Sequence, residues 1–271
     1  MSKHGSVVVT GANPYVGIVG WLTGGGHGPL STTFGMGADN LLEATVVTPT
    51  GEILIANPCQ NSDLFFAIRG GGGGTYGVVT EVVVKTHPDP KTTKILFQLS
   101  TTGPNITGDY WDLMAFFHVE MQRMKEEGEL SGYYYMVGPP TYPIYAFLGA
   151  FSIFNKPNGT MERLWAPIIA KIESHPGLFQ YISEITQANT FLEAVGTTTD
   201  EVVAAGGSAY ASWLLSPKSL EDTNVTAKVF SEIGASVNAS EPNVRFIGLY
   251  GKRMDTDSPR AYSRIQASLA T

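Results

Sequence analysis

The chemistry this chain can do is signalled first by glycine, placed where backbone must come close to a flat ligand. The run Gly24-Gly25-Gly26-His27-Gly28 follows Gly11, Gly17 and Gly20, and a second run, Gly70 to Gly74, leads through Thr75-Tyr76-Gly77 into Val78-Val79-Thr80. Seventeen of the 31 glycines fall within the first 88 residues. Glycine accepts positive φ and lets backbone approach a ligand, but runs this dense cost conformational entropy on folding. Tight loops packed on a bound cofactor would offset that cost. A flexible linker is the other reading of such runs. Apolar, strand-like segments flank both runs directly and argue against it.

Other reactive side chains form no recognisable constellation. The histidines at 4, 27, 87, 118 and 175 are scattered, with no HExxH or Cys/His pattern, so no metal site is expected. Cys59 is the only cysteine, which excludes an internal disulfide; it reads as a small buried hydrophobe rather than a nucleophile. A net charge of −7 argues against a nucleic-acid or anionic-membrane partner, and no stretch reaches 18 apolar residues, so no transmembrane helix is expected. Four sequons, at Asn105, Asn158, Asn224 and Asn238, suggest a glycoprotein of secretory ancestry. The start, Met1-Ser2-Lys3-His4-Gly5, lacks the apolar segment of a signal peptide. Truncation of a longer precursor would reconcile the two, and localisation stays open.

The elements that must position these loops can be read from periodicity. Residues 6–10 read as a strand. Leu41 to Thr48 and Ile53 to Ala56, joined by Pro49-Thr50-Gly51-Glu52, read as a β-hairpin. Asp63 to Arg69 reads as a short helix with Asp63 near its free amides and a glycine run at its end. Val78 to Thr86 alternates as a strand, and the prolines of His87-Pro88-Asp89-Pro90 then set a domain boundary. Beyond it, Thr93 to Leu99, Gly132 to Val137, Tyr145 to Phe154, Tyr210 to Leu215 and Val244 to Gly251 read as strands. Asp109 to Gly128 reads as a helix with Trp111, Met114, Phe117, Met121 and Met124 at helical spacing, and Met161 to Ser174 as a second helix. The expected fold class is α+β: a domain over 1–90, then a domain over 91–271 whose antiparallel sheet carries helices on one face. Tyr133 to Tyr135 suit either the lining of a substrate pocket or, at alternate positions, the core.

Taken in order, the first ninety residues are specific. Gly11-x-x-Pro14-x-Val16-Gly17-x-x-Gly20, Gly24 to Gly28, Phe34-Gly35-Met36-Gly37-Ala38-Asp39-Asn40, Asp63 to Gly73 and Tyr76-Gly77-Val78-Val79-Thr80 follow one another at a family's spacing. The chain resembles the berberine-bridge-enzyme-like oxidoreductases, flavoproteins with a PCMH-type, vanillyl-alcohol-oxidase FAD-binding domain. The resemblance covers residues 6–90 almost without gaps and 91–271 more loosely, as that family's substrate domain. It implies that 1–90 is the C-terminal half of the FAD domain. It also implies that Gly11, Asn13, Val16 and Gly17 run beside the isoalloxazine ring, that Gly20 belongs to the cofactor-binding set, that Gly24, Gly25, Gly26, His27 and Gly28 pack near the ring and ribityl chain, and that Val78 and Val79 lie against FAD through their backbone. His27 suits a hydrogen bond in that wall or a purely structural role.

The implied activity is hydride removal from a small alcohol, sugar or secondary metabolite to flavin N5, with O2 as acceptor. Many relatives also hold FAD through a cysteine two positions after Gly11. Here that position is Asn13, so no cysteinyl linkage is expected. The family's flavin-linking histidine and pyrophosphate loop precede the equivalent of residue 1, which gives an expectation of weak FAD affinity and marginal stability for the chain alone. A rival reading follows, of a truncated relative acting as a partner subunit or non-functional fragment. A carbohydrate-binding module is a third, resting on aromatic content alone. The catalytic base stays unassigned; Asp255 and Asp257 are nearby carboxylates that suit a solvated loop better.

Overall fold

In the computed structural model, residues 4–11, 13, 15–139, 142–196, 208–234, 244–250 and 263–270 are described. Two compact units result, one of residues 1–90 with 190–203 and one of 91–189 with 204–271. In chain order the first contains β1 (Ser6–Val7), α1 (Ile18–Thr23), α2 (Ser31–Phe34), β2 (Leu41–Val47), β3 (Ile53–Ala56), α3 (Ser62–Ile68), β4 (Val78–Val84) and β5 (His87–Pro88). The second contains β6 (Thr92–Thr101), α4 (Gly108–Gly128), β7 (Ser131–Val137), β8 (Ala146–Phe154), α5 (Thr160–Glu173) and β9 (Phe179–Ala188). After α6 (Phe191–Val195), which returns to the first unit, it continues with β10 (Ser208–Leu215), α7 (Pro217–Leu220), α8 (Thr223–Ile233), β11 (Val244–Tyr250) and β12 (Ser263–Ala270).

β-branched and apolar residues at alternate positions build the first sheet, ordered β3-β2-β4 and antiparallel throughout. Its hairpin closes where Gly51 adopts φ +86° and Thr48 accepts from the Gly51 amide. Leu41, Ala44, Val46 and Ala56 face a small core completed by Leu22 of α1 and by Phe65 and Ile68 of α3. The strand expected over 6–10 shortens to Ser6–Val7, because its ladder reaches only His87 and Pro88. α3 starts one residue earlier than expected. Asn61, in the left-handed region, precedes it, and Asp63 sits in its first turn. Cys59 corrects the expectation of a buried hydrophobe: it is exposed, in the turn after β3, where its amide donates to Asn57 Oδ1.

In the second unit seven antiparallel strands run β10-β12-β11-β7-β8-β6-β9. The inward residues of β6, β7 and β8, among them Phe97, Leu99, Tyr134, Phe147 and Phe151, share one core with α4, α5 and α8. All three helices therefore cover the same face, giving the α+β arrangement. The helical repeat of α4 does this work: Trp111, Met114, Phe117, Met121 and Met124 are all buried. Rings interlock at the centre, where Phe147 meets Phe117 at 4.8 Å and Tyr134 at 5.2 Å. The opposite face is open: Leu96, Gln98, Tyr135 and Ile182 on it are exposed.

Candidate functional site

The residues gathered by the glycine motifs fold around one side chain, Trp21 of α1. Its indole Nε1 donates to the His27 carbonyl oxygen at 3.0 Å. A Cβ on Gly26 would lie 2.7 Å from the ring, one on Gly37 would overlap it, and one on Gly11 would sit 3.3 Å from Nε1. Gly28 is closed in from another side by the Thr10 carbonyl. Gly25 and Gly26 take φ of +100° and +69°, which side-chain-bearing residues rarely adopt. Backbone bonds then lock the loops together: Gly37 donates to the Gly26 carbonyl at 2.7 Å, Ala38 to Gly25 at 3.0 Å, and Gly72 to Thr23 at 2.9 Å.

A second set of glycines behaves differently. Apart from chain neighbours and, for Gly20, the backbone of its own helix, no atom of the described residues lies within 4 Å of a Cβ built on Gly17, Gly20 or Gly25, and on Gly24 it would meet only carbonyls of α1 itself. Gly20 sits inside α1, where glycine costs about 0.5–1 kcal/mol relative to alanine. Nothing in the described chain demands it there. Asn13 caps a turn, its Oδ1 accepting from the Tyr15 amide at 2.8 Å. Val16 is exposed. Val78 and Val79 open β4, opposite Val47 and Val46, and connect to the loops through the second glycine run, whose Gly70 lies against Gly25. His27 enters the hydrogen bonding through its carbonyl, and its residue is exposed.

Three residues to which the sequence reading gave no site role hold this assembly in place. Arg69 donates from Nε to the Ala38 carbonyl at 2.7 Å and covers the Phe65 ring at 5.3 Å. Asn40 sends its amide nitrogen to the Phe34 and Met36 carbonyls, which turns its Oδ1 toward His87 Nε2 at 2.7 Å. His87 therefore donates from Nε2, and it stacks on Phe34 with ring centroids 4.2 Å apart. Burial first, and Lys85 second, lower the pKa of His87, so it is neutral in this role. An arginine just before a glycine run was a legible signal; the Asn40–His87 pair, 47 residues apart, was not.

In the second unit a cavity of about 710 Å³ lies on the open face of the sheet. Its lining follows the cross-strand register. Glu184, Leu96, Ala150 and Tyr133 form one transverse row, and Ile182, Gln98, Leu148 and Tyr135 the next. Pleating splits the three consecutive tyrosines: Tyr133 and Tyr135 line the cavity, while Tyr134 is fully buried in the core. Burial, then the neighbouring Tyr135, raises the Tyr133 phenol well above its ordinary pKa, so it stays protonated. Asp255 and Asp257 lie outside the described residues. Among the described residues no group of three or more His, Cys, Asp or Glu could hold a metal ion, and no helix is long and apolar enough to cross a membrane.

This fold and these loops define a class: an FAD-binding domain joined to an antiparallel-sheet domain. A family model described as FAD binding domain matches residues 2–57. An FAD-linked oxidoreductase, apf9, from Gibberella fujikuroi is 36% identical over 222 residues, covering 78% of this chain and 38% of that protein. A VAO-type flavoprotein oxidase, VAO615, from Thermothelomyces thermophilus is 41% identical over 140 residues, covering 51% of this chain and 24% of that protein. Among solved structures, the VAO-type flavoprotein MtVAO713 from Myceliophthora thermophila superposes with a TM-score of 0.80 at 26% identity, over 98% of this chain and 50% of that one. In sequence and fold the chain is similar to FAD-linked oxidoreductases of the vanillyl-alcohol-oxidase type. Its matches span 38% of the length of apf9 and 50% of that of MtVAO713.

Proposed function

We propose that this chain supplies the ring-side wall of an FAD site and the substrate-facing sheet of an oxidoreductase acting on a small organic molecule. When bound, FAD supplies the two-electron acceptor, and reoxidation by O2 is part of the proposal. The observation that carries the reading is the open space beside Gly17, Gly20 and Gly24, whose φ does not call for glycine. A helix glycine with empty space beside it is a loss of stability to the chain alone and a gain once a flat group lies against the backbone. Asn13, Val16, Val78 and Val79 extend this wall. Gly11, Gly26 and Gly28 shape it through Trp21 and Thr10, and His27 joins it through its carbonyl. In the second unit the cavity takes the substrate. There Tyr133 serves as a hydrogen-bond donor rather than a base at neutral pH, because burial keeps its proton.

Gly20→Ala tests the reading directly. It is expected to raise the stability of the chain by about 0.5–1 kcal/mol and to weaken FAD binding at least tenfold, measured by urea unfolding and by flavin-fluorescence titration. Unchanged FAD affinity would remove the argument. The linkage has its own measurement. Position 13 carries no thiol, and Cys59 sits in an exposed turn. Acid precipitation is therefore expected to release all flavin to the supernatant; yellow protein in the pellet would overturn this. The rival reading, of an impaired partner subunit or fragment, is the less favoured one, since the relatives that this chain matches are FAD-linked oxidoreductases. Asn105, Asn158 and Asn224 are exposed, which suits glycosylation at those sequons; Asn238 lies outside the described residues.

A further inference from the structure

The described lining of the sheet-face cavity is apolar and aromatic apart from a few groups, and among these described residues one is charged. Leu96, Leu148 and Ile182 supply aliphatic surface, Tyr133 and Tyr135 supply ring faces, and Glu184 on β9 supplies a carboxylate. The register places Glu184 directly opposite Leu96, in the row that runs through Ala150 to Tyr133. Among the described residues no side chain forms an ion pair with Glu184. Lys94, opposite Thr186, stands two residues from Leu96 along β6, outside the lining. An uncompensated carboxylate at the edge of an apolar, tyrosine-bearing cavity is complementary to an organic cation. The apolar body buries against the aliphatic residues, and the ammonium meets the carboxylate and the electron-rich ring faces.

We infer that the cavity selects an amine that is protonated at neutral pH, with Glu184 as the residue that sets this preference. The inference rests on the reading of this cavity as the substrate site. Glu184 acts here by binding; it is assigned no part in the oxidation. A neutral alcohol of the same shape uses the same apolar surface and gains nothing from the carboxylate, and an anion is repelled.

The test compares 2-phenylethylamine with 2-phenylethanol, titrated calorimetrically into the chain at pH 7 and low salt. The amine is expected to bind about three- to tenfold more tightly, the size of a partly solvated ion pair. Glu184→Gln is expected to bring the amine down to the affinity of the alcohol and to leave the alcohol unchanged. Added NaCl is expected to weaken only the amine, since exposed charge pairs are screened. Equal affinity of the two probes, or amine binding that ignores Glu184→Gln, would overturn the inference while leaving the substrate-site reading intact. Leu148→Trp, which fills the cavity, separates the two failures. If neither probe binds, or if both ignore Leu148→Trp, the substrate-site reading itself falls and takes this inference with it.

Discussion

Gly26→Ala is expected to cost the first unit about 3 kcal/mol or more. Two effects add. The position has φ +69°, where a Cβ costs about 1–2 kcal/mol. The same Cβ would also stand 2.7 Å from the Trp21 ring, and overpacking of this kind costs about 1–3 kcal/mol. The ring has no easy retreat, because its Nε1 is bound to the His27 carbonyl and Gly11 and Gly37 close on it. Urea unfolding at pH 7 measures the loss. The double variant Gly26→Ala/Trp21→Leu is expected to recover the overpacking part and to retain the conformational part, a coupling that a double-mutant cycle isolates. A Gly26→Ala protein as stable as the parent would mean that Trp21 does not template the loop. The contrast with Gly20→Ala is the point of interest. Two glycines six residues apart are expected to respond with opposite signs, because one is required by the protein and the other by what the protein binds.

That distinction was not legible in the sequence, although the glycine motifs were. Spacing shows that glycines cluster; it does not show which of them a neighbouring side chain forbids from carrying a Cβ. The difference is set by Trp21, Thr10 and Val47, which contact Gly26 and Gly37, Gly28, and Gly77 respectively. Periodic segments were read well where one face is buried and the other wet. The ladder of Trp111 to Met124 on α4 and the alternation of β2 are such cases. The strand β9 escaped because Phe179, Tyr181, Ile182 and Ile185 do not alternate cleanly; it is the sheet's edge and is half-exposed along most of its length. The helix α8 escaped for a different reason. Its start signal, Asp222, was present and does accept from the Asn224 and Val225 amides, but only Thr226, Ala227 and Phe230 of the helix are buried. In the cavity, the run Tyr133 to Tyr135 left core and pocket readings open, and pleating satisfies both at once.

Acid is expected to destabilise the second unit through one imidazole. His118 of α4 is wholly buried, with Nδ1 2.7 Å from the Met114 carbonyl and Nε2 2.6 Å from the Tyr134 hydroxyl. A carbonyl can only accept, so Nδ1 carries the proton and Nε2 accepts from the tyrosine O–H. Burial pushes the pKa down to about 4, against a smaller upward pull from the Met114 carbonyl. In the unfolded chain the same group titrates near 6.5. Between those values the unfolded state takes up a proton that the native state excludes. Stability therefore falls as pH drops through 6.5, and the loss levels off below about 4, by which point it reaches about 3 kcal/mol. Carboxylates contribute their own acid sensitivity, which a paired measurement removes. His118→Gln keeps a donor and an acceptor but does not titrate. Between pH 7 and pH 4.5 the parent is expected to lose about 2 kcal/mol more than this variant in urea unfolding. Parallel losses would show that the imidazole is charged, or solvated, in the folded unit. The expected result would instead place a neutral His118–Tyr134 hydrogen bond behind the wall of the cavity, where Tyr134 fixes β7 and so sets the positions of Tyr133 and Tyr135 on its other face.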